Sequence, residues 1–225
     1  MTWRQELKYI VSGADRELLL GRLCTALTPD PYAVRNGFYQ IRTLYFDDPF
    51  DSSLFNTLAG VPEREKYRLR MYNSDQGFLR LEKKIKRYGG SQKPEALLTA
   101  EECNRLLHKD YMFLGEKNDP FLQNAYAAAI SGGLNPRCVV DYTRAAFCHP
   151  AGNVRVTIDS EIHANRNTDV FFKEPFAGVP VLENGACVLE VKYDSVLPDF
   201  IRDIIRIGDR SRVSLSKYAA GCVID

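Results

Sequence analysis

Four cations stand at every second position of one segment: Arg64, Lys66, Arg68 and Arg70. A strand sends alternate side chains to opposite faces, so these four share one face while Tyr67, Leu69 and Met71 share the other. The pattern recurs. Leu79, Leu81 and Ile85 oppose Arg80, Glu82, Lys84 and Lys86; Val154, Val156, Ile158 and Ile162 oppose Arg155, Thr157, Asp159 and Glu161; Leu189 and Val191 oppose Glu190 and Lys192. Guanidinium forks and ammonium point charges bind oxygen-rich anions, phosphates above all. The few carboxylates among them suit a divalent metal held beside such an anion.

Charge is segregated onto these faces. With Arg4, Glu6, Lys8, Arg42 and Arg144 from the other candidate strands, they carry 13 basic residues against five acidic ones. The whole chain of 225 residues holds 30 Lys or Arg against 29 Asp or Glu. The net +1 therefore conceals a surplus of eight on the strand faces and a deficit of seven elsewhere. The total gives no sign of a nucleic-acid partner, for which a strongly basic domain is expected.

The elements that must position these side chains are mostly strands: 3–11, 38–47, 64–72, 77–87, 136–148, 153–162 and 186–193, separated by Gly, Pro, Asn and Asp. Helical spacing predicts a helix over 14–27, a second beginning at the capping box of Thr99, a third over about 121–130 ending at Gly132 and Gly133, and a fourth with Pro198 in its first turn. No repeat or linker divides them, so a single domain over 1–225 is expected, and a 45% hydrophobic composition can fill its core. An antiparallel sheet with one wet face would also alternate. Solvated faces usually mix signs, however, and the helices need apolar surfaces to pack on. A barrel with helices outside and a cationic lumen satisfies both conditions.

Other chemistry finds little support. No apolar run approaches the length of a membrane span, and the N-terminus has no signal-peptide pattern, so a cytoplasmic protein is expected. The six cysteines show neither zinc spacing nor a disulfide framework and read as reduced thiols. His108, His149 and His163 are isolated. No phosphate-binding G-x-x-x-x-G-K-[ST] loop occurs, and Gly89-Gly90 reads as a turn after a strand.

Eight motifs in order carry a family resemblance: ELKY at 6–9, LYFDD at 44–48, R-x-K-x-R-x-R at 64–70, LEKK at 81–84, YTR at 142–144, RVTID at 155–159, LEVKY at 189–193 and SKY at 216–218. Together they resemble the VTC (vacuolar transporter chaperone) polyphosphate polymerase domain, one of the triphosphate tunnel metalloenzymes. The resemblance implies an α+β fold, an eight-stranded antiparallel β tunnel with a cationic interior and helices packed outside. It also implies a divalent metal, Mn²⁺ or Mg²⁺, and transfer of the ATP γ-phosphoryl group to a growing inorganic polyphosphate chain.

Carried over by position, Lys8, Arg68, Arg70, Lys84, Arg144, Lys192 and Lys217 become the catalytic cations, with Lys217 at the terminal phosphoryl. Tyr142 and Ser216 become hydrogen-bond donors to substrate, and Arg42, Arg64, Lys66 and Arg155 join them as substrate-binding candidates. Glu190 leads the metal-ligand candidates, followed by Glu6, Glu82 and Asp159. Asp159 could instead pair with Arg155 or an arginine of a neighbouring strand, and Glu82 could instead hold Lys84 and Arg80 in place. Glu161 is expected at a tunnel mouth or in solvent.

One departure matters. Triphosphatase-type members of the superfamily typically begin with E-x-E-x-K, whereas here Arg4 replaces the first Glu and leaves only Glu6 and Lys8. The loss favours synthesis over hydrolysis. A tripolyphosphatase or nucleoside triphosphatase on the same scaffold, and a non-catalytic polyphosphate sensor, remain the competing readings. The regulatory SPX domain and membrane segments of eukaryotic members are absent from the matching stretch. A polymerase that exports its product would then need a membrane-protein partner; oligomeric state is not legible.

Overall fold

The computed structural model describes residues 4–33, 37–87, 90–208 and 210–224. In chain order the first half comprises β1 (Gln5–Val11), α1 (Gly13–Ala26), β2 (Thr28–Pro29), β3 (Phe38–Asp47), α2 (Ser52–Leu58), β4 (Arg64–Tyr72), β5 (Asp75–Arg87), β6 (Gly90–Gln92) and β7 (Glu95–Leu98). There follow α3 (Ala100–Leu107), α4 (Met112–Glu116), α5 (Pro120–Gly132), β8 (Asn135–His149), β9 (Val154–Asn165), β10 (Val179–Pro180), β11 (Cys187–Tyr193), α6 (Asp199–Ile204) and α7 (Lys217–Cys222). Gly89 of the expected turn and Trp3 of the first expected strand lie outside the described residues.

Local sequence explains the helix starts. Ser12 accepts from the Asp15 amide while the Asp15 carboxylate takes the Ser12 amide, and Thr99 and Glu102 repeat this reciprocal box at α3. Thr99→Ala should therefore lower the free energy of unfolding by about 1 kcal/mol, read as a lower urea midpoint. An unchanged midpoint would show that the cap carries no stability. α5 ends at Gly133 in the left-handed region (φ 65), a conformation glycine adopts without penalty. Pro198 is the residue before α6 rather than part of its first turn. The short helices α2, α4 and α7 carry too few turns to show a periodicity in sequence.

The fold class is α+β. The main hydrogen-bonded path carries eight strands in the order β1-β11-β9-β8-β3-β4-β5-β6, with β2, β7 and β10 paired beside it. Among the described residues the path has two ends, β1 and β6. No helix there is long and apolar enough to cross a membrane.

The chain forms two compact units, each assembled from three stretches: Met1–Gln40, Tyr142–Ile162 and Pro180–Leu215 in the first; Ile41–Asp141, His163–Val179 and Ser216–Asp225 in the second. In the first, β1 lies antiparallel to β11, and β11 to β9. Its core joins Leu7 and Val11 of β1, Val156 and Ile158 of β9, and Leu189 and Val191 of β11 to Leu19 and Leu23 of α1 and Ile201 of α6. In the second, β4 pairs with both β3 and β5. Leu69 and Met71 of β4 and Leu79 and Leu81 of β5 pack with Cys103 and Leu106 of α3 and Leu122 of α5. The helices thus cover the apolar faces that the alternation demanded, which leaves the charged faces opposite them.

Candidate phosphate-binding site

The β4–β5 register sets cations against cations. Arg64 faces Lys86, Lys66 faces Lys84 and Arg70 faces Arg80, while Arg68 alone faces a carboxylate, Glu82. Like charges directly opposite one another destabilise a sheet, so this ladder is costly as a surface and useful as an anion cradle. Glu82 holds it together. Its side chain has no solvent exposure; Oε2 accepts from Arg68 Nε at 2.6 Å and lies 3.7 Å from Arg70 Nη1, and Oε1 accepts from Lys93 Nζ at 2.9 Å. Burial alone would raise the Glu82 pKa, but the charges of Arg70, Arg68 and Lys93 outweigh it and hold the carboxyl far below its ordinary range. Arg80 turns instead to Glu95, at 2.6 Å.

In the same unit the 216–218 motif bends back to β4. Lys66 Nζ donates to Ser216 Oγ at 3.2 Å and sits 5.2 Å above the Tyr218 ring. Ser216 caps α7 by accepting from the Ala219 amide, and Tyr218 donates its hydroxyl proton to Asp47, which also accepts from the Ser53 and Leu54 amides of α2. This network fixes Lys217, which is half-buried at the first position of α7.

The first unit builds a second cluster. Lys8 Nζ lies between two carboxylates: it pairs with Glu6 and, at 3.3 Å, with Glu190 Oε2, while Lys192 Nζ takes Glu190 Oε1 at 2.5 Å. Burial pulls the Lys8 pKa down, but the charges of Glu190 and Glu6 prevail and raise it. Burial pushes Glu190 up, and Lys192, Lys8 and Arg144 together bring it well below the usual carboxylate range. Arg144 grips Asp159 bidentately, Nε to Oδ1 at 2.6 Å and Nη2 to Oδ2 at 2.8 Å, and its guanidinium stands 5.3 Å from the Tyr142 ring. Of the two roles open to Asp159, the structure shows the partner of a neighbouring-strand arginine.

Three substrate-binding candidates are engaged elsewhere. Arg42 is 1% exposed, bonded to Asp141 at 2.7 Å and to the carbonyls of Phe171 and Lys173 at 3.2 and 2.8 Å, where it anchors the segment after β9. Arg64 donates to the Val61 carbonyl, and Arg155 to Asp30 at 2.6 Å and the Tyr39 hydroxyl at 2.8 Å. Glu161 is exposed and accepts from Thr143 at 2.9 Å. Lys93 and Asp47 escaped the sequence reading. Lys93 precedes Pro94 outside any alternating run, and Asp47 lies where β3 is buried on both faces.

Among the described residues no three His, Cys, Asp or Glu side chains gather as a ready metal cage. Mg²⁺ and Mn²⁺ do not need one, since one or two carboxylates plus substrate phosphate oxygens suffice. Glu190 and Glu6, already sharing the Lys8 ammonium, are the pair that would hold such an ion. The hydroxyl of Thr157, buried opposite Glu190 on β9, has no hydrogen-bond partner in the structure and fits an added oxygen-rich ligand. Glu82, held by Arg68 and Lys93, and Asp159, gripped at both oxygens by Arg144, are each paired with an arginine.

Residues 3–224 match the VTC domain. The chain belongs to that family. Comparison with curated proteins finds no match. Among solved structures, this VTC domain is similar to a putative adenylate cyclase from Bacillus halodurans, with 13% identity, a TM-score of 0.54, and coverage of 91% of this chain and 88% of that one. A putative adenylyl cyclase from Hippeastrum, described as having a dominant triphosphatase activity, is 15% identical with a TM-score of 0.49 over 89% of this chain and 83% of that one. The first likeness shows that the VTC domain shares the tunnel fold implied by its ordered motifs.

Proposed function

We propose that this VTC domain transfers the γ-phosphoryl group of ATP to the end of an inorganic polyphosphate chain. A terminal phosphate oxygen of the chain attacks the γ-phosphorus, the bond to the β–γ bridging oxygen breaks, ADP leaves, and the polymer is one phosphate longer. Such transfer consists largely of positioning and charge stabilisation, and requires no nucleophilic side chain. A bound divalent ion would neutralise charge on the transferred group. The protein's own contribution is cationic: Arg68, Arg70, Lys66 and Lys84 form one phosphate-binding set, and Lys8, Lys192 and Arg144 form another.

The observation that carries this reading is the β4–β5 ladder, three facing cation pairs with one buried carboxylate, Glu82, among them, bonded to Arg68. Its direction towards synthesis rests on Arg4. This residue stands where a triphosphatase has a carboxylate, and it is spent on Asp194 at 3.3 Å and the Asn153 carbonyl. Glu6, Lys8 and Glu190 do preserve part of the hydrolytic arrangement, which favours tripolyphosphate cleavage as the second reading. Pure protein with ATP and Mn²⁺ should yield a long polyanion on a stained gel, with ADP in proportion. Orthophosphate release from ATP or tripolyphosphate without polymer would replace the first reading by the second.

A further inference from the structure

Cys138 and Cys222 are 84 positions apart in sequence, yet their sulfurs lie 3.2 Å from one another in the second unit. Backbone packing sets this approach. Gly221 of α7 lies so near β8 that a Cβ there would meet Val140 Cγ2 at 2.8 Å and Ala164 Cβ at 3.2 Å, so the helix is seated on the strand with no side chain between them. Cys138 is fully buried on β8 and Cys222 is partly exposed on α7. All six cysteines are free thiols.

We propose that Cys138 and Cys222 form a reversible thiol–disulfide pair, oxidised by a low-molecular-weight disulfide such as glutathione disulfide, that ties α7 covalently to β8. The two cysteines have unequal roles. Only Cys222 is open to a reagent. A hydrogen bond from Cys138 lowers the Cys222 pKa below its ordinary value against the opposing effect of burial, with help from Tyr218 and the Arg137 charge, so Cys222 is the attacking thiolate. Attack on glutathione disulfide forms a Cys222–glutathione mixed disulfide and releases one glutathione. Cys138 then gives up its proton and attacks the Cys222 sulfur, which expels the second glutathione. Two protein thiols become one disulfide, and one glutathione disulfide becomes two glutathiones. Closing from 3.2 Å to the ~2.05 Å of a disulfide takes roughly an ångström of movement in a helix of six residues. Oxidation would fix α7, whose first position carries Lys217 next to Ser216. The thiol chemistry itself is independent of the activity proposed above.

The full chain is equilibrated with glutathione mixtures of rising disulfide content, quenched in acid, denatured and alkylated. Alkylatable thiols should fall from six to four, peptide mapping should recover a Cys138–Cys222 disulfide, and dithiothreitol should restore all six. Cys222→Ser should abolish the cross-link and leave Cys138 alkylatable. The proposal is overturned if Cys222 stops at the mixed disulfide with Cys138 still free, if either cysteine pairs with Cys24 or Cys148, or if both stay alkylatable in glutathione disulfide alone.

Discussion

Glu82→Ala will destabilise the protein by about 3–5 kcal/mol, because it removes the one buried carboxylate shared by Arg68, Arg70 and Lys93 and leaves their clustered positive charge without it. Glu95 offers an internal comparison, since it pairs with Arg80 and Lys93 but is about one-third exposed. Glu95→Ala should cost less than ~1 kcal/mol. The gap between the two variants in urea unfolding is the decisive quantity; equal midpoints would mean that the buried network is not cohesive. The effect also has a pH signature. Glu82 titrates far below its ordinary value of 4.5 when folded, so the unfolded chain takes up its proton first as acid is added. Its stabilisation is then complete above about pH 4.5 and disappears progressively below it. The wild-type advantage over Glu82→Ala should shrink in that same acidic window. Tripolyphosphate, by supplying replacement negative charge, should restore part of the variant's stability.

Glu190→Gln is expected to reduce phosphoryl transfer by about 100-fold or more, the usual effect of deleting one preorganised electrostatic group from a reaction centre. The amide keeps the shape and loses the charge, and Lys8 retains Glu6 as a partner, so the fold should survive. Tripolyphosphate binding provides the control. With one negative charge removed from between Lys8 and Lys192, the anion should bind as tightly as before or more tightly while turnover collapses. A variant with activity within about tenfold of wild type would remove Glu190 from the reaction centre. Because its pKa lies well below the usual carboxylate range, Glu190 stays ionised near neutrality. Any acidic limb near pH 6 in the rate profile must then come from another group.

How far the sequence could be read depended on whether a residue's role was written locally. Arg68, Arg70 and Glu82 were legible because β4 and β5 each have one apolar face, so strict alternation exposes the charged set. Thr99 and Glu102 were legible because a capping box spans four residues. Arg42 was not. β3 is buried on both faces around it, so alternation says nothing, and its partner Asp141 is 99 positions away. The same limit hid Asp47 beneath Tyr218 and Cys138 beside Cys222, contacts that exist only once distant strands and helices have met. For Glu82, the composition of its strand marked it as a charge holder, but the choice of Lys93 over Arg80 was set by the loop before β7.

The three-stretch make-up of each unit bears on synthesis from the first residue onward. When Asp141 has just been added, the nascent chain holds the longest stretch of the second unit, yet Tyr218 and its grip on Asp47 are still 77 residues from being made. The first unit waits in the same way for β11 and the segment up to Leu215. Apolar strand faces such as Leu69–Met71 and Leu79–Leu81 must therefore emerge well before their units are complete. Such late, long-range closure is slow. Expression yield should then depend on whatever shields the growing chain during that interval, with cooler growth and chaperone supply acting more strongly than changes to the finished surface.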